Sequence, residues 1–163
     1  MVRWISIITL IMLPALGCDS TSMSTSADDL IGGKWVFQRS QVPDGTVIFY
    51  APASSKRNSW WIHFDTSTRV TGRDACNNGI GVYTADDDGA IRLDSLSRTA
   101  KGCGLEVWAD QYWPVLKDTY RFQIRDGQLF LFLRIGNYTE RVFIHKRSRC
   151  DSTTISGIYR SCK

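Results

Sequence analysis

A chain of 163 residues that is 43% hydrophobic and 12% aromatic has the material to fill the core of one ordinary domain. Its net charge of +4 is too mild for a nucleic-acid binder, which would show a dense basic stripe. With five cysteines, the compartment decides what chemistry the chain can hold.

The opening MVRWISIITLIMLPALGCDS places one positive residue, Arg3, before an apolar run from Trp4 to Leu13 that Pro14 ends. That run is about half of the ~20 residues needed to cross a bilayer, and the order of charge, apolar run and small residues is that of a secretory signal over residues 1–17. Gly17 and Cys18 resemble the lipobox of bacterial lipoproteins, in which the cysteine is acylated and becomes the new N-terminus; Ala15 stands where Leu is usual. The resemblance implies a membrane partner through the N-terminal lipid and a periplasm-facing location in the cell envelope. Asp19 resembles the signal that retains lipoproteins in the inner membrane of enteric-type bacteria, a rule that differs between bacterial groups. After Cys18, residues 19–29 are rich in Ser, Thr and Asp with no apolar period, so 18–29 is expected to be a lipidated flexible tether.

From residue 30 strand signals dominate. GKWVFQ (33–38) and TVIFY (46–50) flank a turn at Pro43-Asp44-Gly45. In NSWWIHFD (58–65) the two-residue period puts Trp60, Ile62 and Phe64 inward and Trp61 and His63 outward. TRVTGRD (68–74), GIGVYTA (79–85), the turn DDDG (86–89) and AIRLDSL (90–96) follow. Over 104–118 the period changes: Leu105, Trp108, Ala109, Tyr112 and Leu116 share a helical face, with Pro114 placed to kink or shorten the helix. TYRFQIRDGQLFLFLR (119–134) reads as a hairpin about Asp126-Gly127, and Phe130 and Phe132 call for cover on its second face. YTERVFIHK (138–146) closes the folded part, and HKRSR (145–149) begins a basic tail, 147–163, read as solvated charge rather than a lipid contact. The fold class is α+β, mainly antiparallel β: an open or cracked small barrel of about eight strands with one helix.

With Cys18 set aside, four cysteines remain, and four allow three connectivities. The least contorted pairing is Cys76 with Cys103 and Cys150 with Cys162, each closed loop contributing ~3 kcal/mol in a chain-entropy estimate. A nucleophilic Cys76 would need His63 or His145 beside it, and no motif places either there. A zinc site lacks a closely spaced ligand pair. DDDG has neither the alternating ligands nor the distal Glu of a calcium loop. No catalytic, cofactor or metal residue is therefore assigned, and an outward Trp61 is the one candidate ligand-binding residue.

Several residues fall in a recurrent order. Gly33-Lys34-Trp35 opens the first strand and Phe64 is inward; then come Gly72, Cys76-Asn77, Gly81-Val82-Tyr83, and Thr99 four residues before Cys103. In this order the chain over 30–146 resembles the META domain, found in bacterial heat-shock lipoproteins, although Lys101 replaces a usual apolar residue. The resemblance implies a small mixed barrel without known catalytic activity, often lipid-anchored and associated with envelope stress. The expected function is that of a non-catalytic envelope lipoprotein. The alternative is a periplasmic binding module for a hydrophobic ligand, lipid or peptide, since the fold is also similar to the pilotins of secretion systems. A large apolar cavity would favour that alternative, and a side-chain-filled core would argue against it.

Overall fold

The structure, a computed structural model, describes residues 22–51, 60–66, 68–74, 77–102, 110–136 and 139–148. All five cysteines, and with them the acylation site and both expected disulfides, lie outside the described residues, as does Trp108.

The alternating runs become strands: β1 (Met23–Ser24), β2 (Lys34–Gln41), β3 (Val47–Tyr50), β4 (Trp61–Phe64), β5 (Arg69–Arg73), β6 (Asn78–Ala85), β7 (Ile91–Arg98), β8 (Thr119–Arg125), β9 (Gln128–Ile135) and β10 (Thr139–Arg147). They form one antiparallel sheet in the order β1-β8-β9-β10-β2-β4-β5-β6-β7, with β3 also pairing β2. Strand β2 can serve two neighbours on one side because they use different halves of it. Trp35 and Val36 pair with β4, and Arg39 and Ser40 pair with β3. On its other side β10 runs the full length, with a bulge at Ile144/His145. The β8–β9 turn is Asp126-Gly127, both at positive φ (52° and 69°), the geometry of a two-residue hairpin loop that suits right-twisted strands.

Pairing does not close into a barrel. Where β7 and β8 approach, the described residues make one isolated bridge, Ala90–Arg121, and one hydrogen bond from Phe122 N–H to Gly89 C=O at 2.8 Å. The sheet therefore curls but leaves an open seam.

Two expectations are corrected. The tether does not extend to residue 29. Met23 and Ser24 pair with Arg125 and Ile124 of β8, and Ala27–Leu30 forms a 3₁₀ turn. Asp87 of the DDDG turn holds this segment, accepting Thr25 Oγ1 on its carbonyl (2.6 Å) and Ala27 N–H on its carboxylate (3.0 Å). These are polar contacts, which an apolar pattern cannot announce. Nor is 104–118 one continuous α-helix. Its last part, Trp113–Asp118, is a 3₁₀ turn with Pro114 at its start, and Tyr112 before it has φ −114°, ψ −80°. Proline lacks the N–H a helix interior needs and is tolerated in the first turn, so Pro114 begins a helical segment instead of kinking one.

The inner face is a solid aromatic core. The Phe37 ring lies 5.0 Å from Tyr112, 5.3 Å from Phe143, 5.5 Å from Phe49 and 5.7 Å from Trp60, centroid to centroid. Phe64 is buried as expected, and Trp35, Tyr112, Phe122 and Leu131 are buried with it. Trp60 is 3% exposed while Trp61 is half-buried, so the phase of β4 is the one the sequence pattern predicts.

Candidate functional site

The corner between β5 and β6 answers to the Cys76-Asn77 motif. Asp74 and Asn77 bond each other across the turn: Asp74 N–H donates to the Asn77 carbonyl (3.0 Å), and Asn77 N–H donates to Asp74 Oδ1 (2.8 Å). Asn77 Oδ1 then accepts Thr99 Oγ1 at 3.2 Å and Lys101 N–H at 2.7 Å. Asp74 is buried, and its Oδ2 meets Arg98 Nη1 at 2.8 Å, while Asp110 takes Nη2. Burial works against the Arg98 charge, but its bonds to Asp110 and Asp74 outweigh that and raise its pKa. This network fastens the corner to the end of β7.

The glycines of β5 and β6, two of them in the motif, do related work. Gly72 and Gly79 are register partners on β5 and β6. An added Cβ would lie 2.3 Å from the Trp113 ring at Gly72 and 2.1 Å from it at Gly79. The two glycines thus make a flat slot in which the indole lies against the sheet, its Nε1–H donating to the Ser97 carbonyl at 3.1 Å. Trp113 is 2% exposed, yet it is off the helical face that the sequence period picks out. The paired glycines were the signal that could have found it. At Gly81 a Cβ would meet Leu96 at 2.5 Å, beside the β6–β7 bulge. Tyr83 packs edge-on to Phe64 (4.9 Å) and donates its hydroxyl to the Asp65 carbonyl (2.8 Å).

The histidines divide. His63 on β4 is half-buried and donates Nδ1–H to the Gly33 carbonyl at 3.1 Å. His145, expected in the solvated basic cluster, is instead 0% exposed in the core, because two-residue alternation from Phe143 along β10 places it opposite Leu129 and Phe37 on the inner face. Its Nε2 shares a hydrogen bond with Tyr112 Oη at 3.0 Å. Burial pushes the His145 pKa down to about 3, against the opposing pull of the Phe143 and Leu129 backbone. Burial likewise pushes the Tyr112 pKa well up, helped by the charge on Asp74. Both groups stay neutral through the physiological range. A third member of the basic cluster, Arg147, stacks over Trp35 at 4.6 Å.

Two surface features remain. Trp61, the outward candidate, has Lys34 Nζ 4.9 Å from its ring. A groove of about 930 Å³ follows the open seam, walled by Ile91, Leu93 and Leu96 of β7 on one side and Pro114, Lys117 and Tyr120 on the other. Ser95, one of its lining residues, has φ +52°, which L-residues adopt at a cost of order 1–3 kcal/mol. The Arg92–Asp94 pair on the rim, 2.8 Å apart and exposed, contributes little to stability.

Comparison with known proteins follows the same lines as the geometry. Among curated proteins none matches this chain. A protein from Burkholderia xenovorans, solved by NMR, is 22% identical with a TM-score of 0.55, covering 88% of this chain and 99% of its own. A DUF4847 family protein from Bacteroides vulgatus, with a crystal structure at 1.00 Å, is 14% identical with a TM-score of 0.56, covering 76% and 99%. At these identities the likeness is one of fold. The sequence profile of the META domain matches residues 28–146, spanning the β5–β6 corner, the glycine slot and the core, and the chain belongs to the META domain family.

Proposed function

We propose that this protein is exported, acylated at Cys18, and serves without catalysis as a membrane-tethered component of the cell envelope facing the periplasm, in a structural or stress-related role. The observation that supports the non-catalytic part of this reading is the packed aromatic core among the described residues. On the inner face of the sheet, Phe37 is ringed by Tyr112, Phe143, Phe49 and Trp60. His145 and Tyr112, which burial keeps neutral, are sealed at 0% exposure. What such a domain offers its surroundings is its surface. The 2.7 Å bond from Lys101 N–H to Asn77, next to Cys76 and two residues before Cys103, supports pairing of those cysteines. The Cys150–Cys162 pair belongs to the same proposal.

A second reading, a binding module for a hydrophobic ligand, lipid or peptide, is favoured by the seam groove. Both readings are tested by mass spectrometry of the protein extracted from the envelope. Acyl chains on Cys18 with no further bound mass support the first. A co-purified lipid or peptide, lost when Leu96 is changed to Asp, supports the second. A protein recovered unacylated from the periplasmic fraction refutes the anchor.

A further inference from the structure

Among the described residues, side chains of the sheet itself and no further layer of structure cover the second face of the β8–β9 hairpin. On β9, Leu129, Leu131 and Leu133 point into the core, so Phe130, Phe132 and Arg134 point out. Register places Phe132 between Arg121 of β8 and Val142 of β10, Phe130 between Gln123 and Ile144, and Gln128 between Arg125 and Lys146. Ile144 in turn faces Arg39 of β2. An apolar strip (Phe130, Phe132, Val142 and Ile144) is thus bordered by cations on both sides. Guanidinium groups roof it: Arg125 lies 4.7 Å from the Phe130 ring, Arg121 lies 5.7 Å from Phe132, and Arg134 lies 4.9 Å from Tyr120. Among the described residues, Glu140 is the acidic side chain in register on this face of the three strands, and it accepts the Tyr120 hydroxyl. Arg69, Arg92 and Arg98 form ion pairs on other strands.

The N-terminal strand adds a direction. Met23 pairs with Arg125 and so shares its face, at 60% exposure. From Cys18 to Met23 the chain can extend at most about 18 Å, five steps of about 3.3–3.6 Å. A lipid on Cys18 would hold this edge of the sheet within roughly the depth of the headgroup layer and one further layer of water.

We propose that the outer face of β8–β9–β10 docks on an anionic phospholipid bilayer, with Arg121, Arg125 and Arg134 on headgroup phosphates and Met23 at the acyl boundary. Guanidinium groups suit this surface because they bind phosphate oxygens in a bidentate fork and stay weakly hydrated when stacked on aromatic rings. The exposed Met23 beside them favours a bilayer over a purely polar polyanion. The orientation rests on the acylation reading above; the headgroup contact does not.

The test is flotation of the Cys18→Ala protein, which carries no acyl chain, with vesicles of phosphatidylglycerol and phosphatidylcholine in equal parts and with pure phosphatidylcholine vesicles. Binding is expected on the anionic vesicles alone, with release as salt rises. Arg121→Gln/Arg125→Gln should weaken it roughly thirtyfold, from the usual contribution of two juxtamembrane cations. Arg121→Lys/Arg125→Lys, which keep the charge and lose the fork, should weaken it less than the Gln pair does, and Arg73→Gln/Arg92→Gln, the same loss of charge on other strands, should leave it unchanged. Equal binding to neutral vesicles, absence of binding to anionic ones, or equal loss in the Arg73/Arg92 control would overturn the proposal. So would a protein whose Gln pair turns a dimer into a monomer in sedimentation, since the face would then be a self-contact. If the Gln pair fails to fold, salt release and lipid selectivity of the Lys pair decide. Acylation is read separately from the mass of the envelope form, so failure of either reading is seen without the other.

Discussion

Substituting Gly79 with Ala places a methyl carbon 2.1 Å from Trp113 Cε2, 2.3 Å from Cζ2 and 2.6 Å from Cδ2. These atoms are the body of the indole, not the end of a flexible side chain, and the ring cannot slide freely. Its Nε1–H is bonded to Ser97, and its neighbours Tyr112 and Leu116 are buried at 0% exposure. Overpacking of this kind costs about 1–3 kcal/mol, and the near-complete overlap puts Gly79→Ala at the upper end, about 3 kcal/mol. Trp113→Ala should itself cost about 3–5 kcal/mol by emptying the slot. In the double variant the methyl no longer meets a ring, so most of the Gly79→Ala cost should vanish and the two changes should be non-additive by about 2–3 kcal/mol. Urea titration followed by tryptophan fluorescence and circular dichroism measures all four corners of the cycle; the Trp113→Ala corners rely on dichroism, since the probe changes. If Gly79→Ala destabilises equally with and without Trp113, the glycine is conserving backbone conformation rather than space, and the slot argument fails.

The buried His145 makes the fold acid-sensitive. Its folded pKa, about 3, lies below the unfolded value of 6.5, so between those values the unfolded chain holds the extra proton. The stabilisation is complete above pH 6.5 and falls by about 1.4 kcal/mol per pH unit below it, and His145→Gln should flatten that slope in denaturant melts at pH 4–7. Removing the Asn77 side chain orphans its partners at Thr99 and Lys101, so Asn77→Ala should cost about 1–3 kcal/mol. Hydrogen exchange should show the loss first at the β5–β6 corner and the end of β7, and uniform loss across the sheet would argue against a local fastening role.

Most of the β architecture was legible in the residue pattern, because alternation is imposed by the pleat itself. Trp60, Ile62 and Phe64 face inward for the same reason that Trp61 does not, and Asp126-Gly127 specifies its turn through backbone conformations that few other pairs adopt. The family motif was legible too, but not its purpose. Only the folded chain shows that Gly72 and Gly79, seven residues apart, are cross-strand partners under one indole, or that Asn77 serves Thr99 and Lys101. The docking of residues 23–30 rests on hydrogen bonds to Asp87, more than fifty residues away, and such polar contacts leave no period in the sequence. His145 reads as surface charge beside Lys146 and Arg147, although alternation from Phe143 along β10 already places it on the inner face opposite Leu129. The open seam between β7 and β8 was decided last of all, since closure depends on the accumulated twist and register of every strand between them, a sum that no local stretch of residues contains.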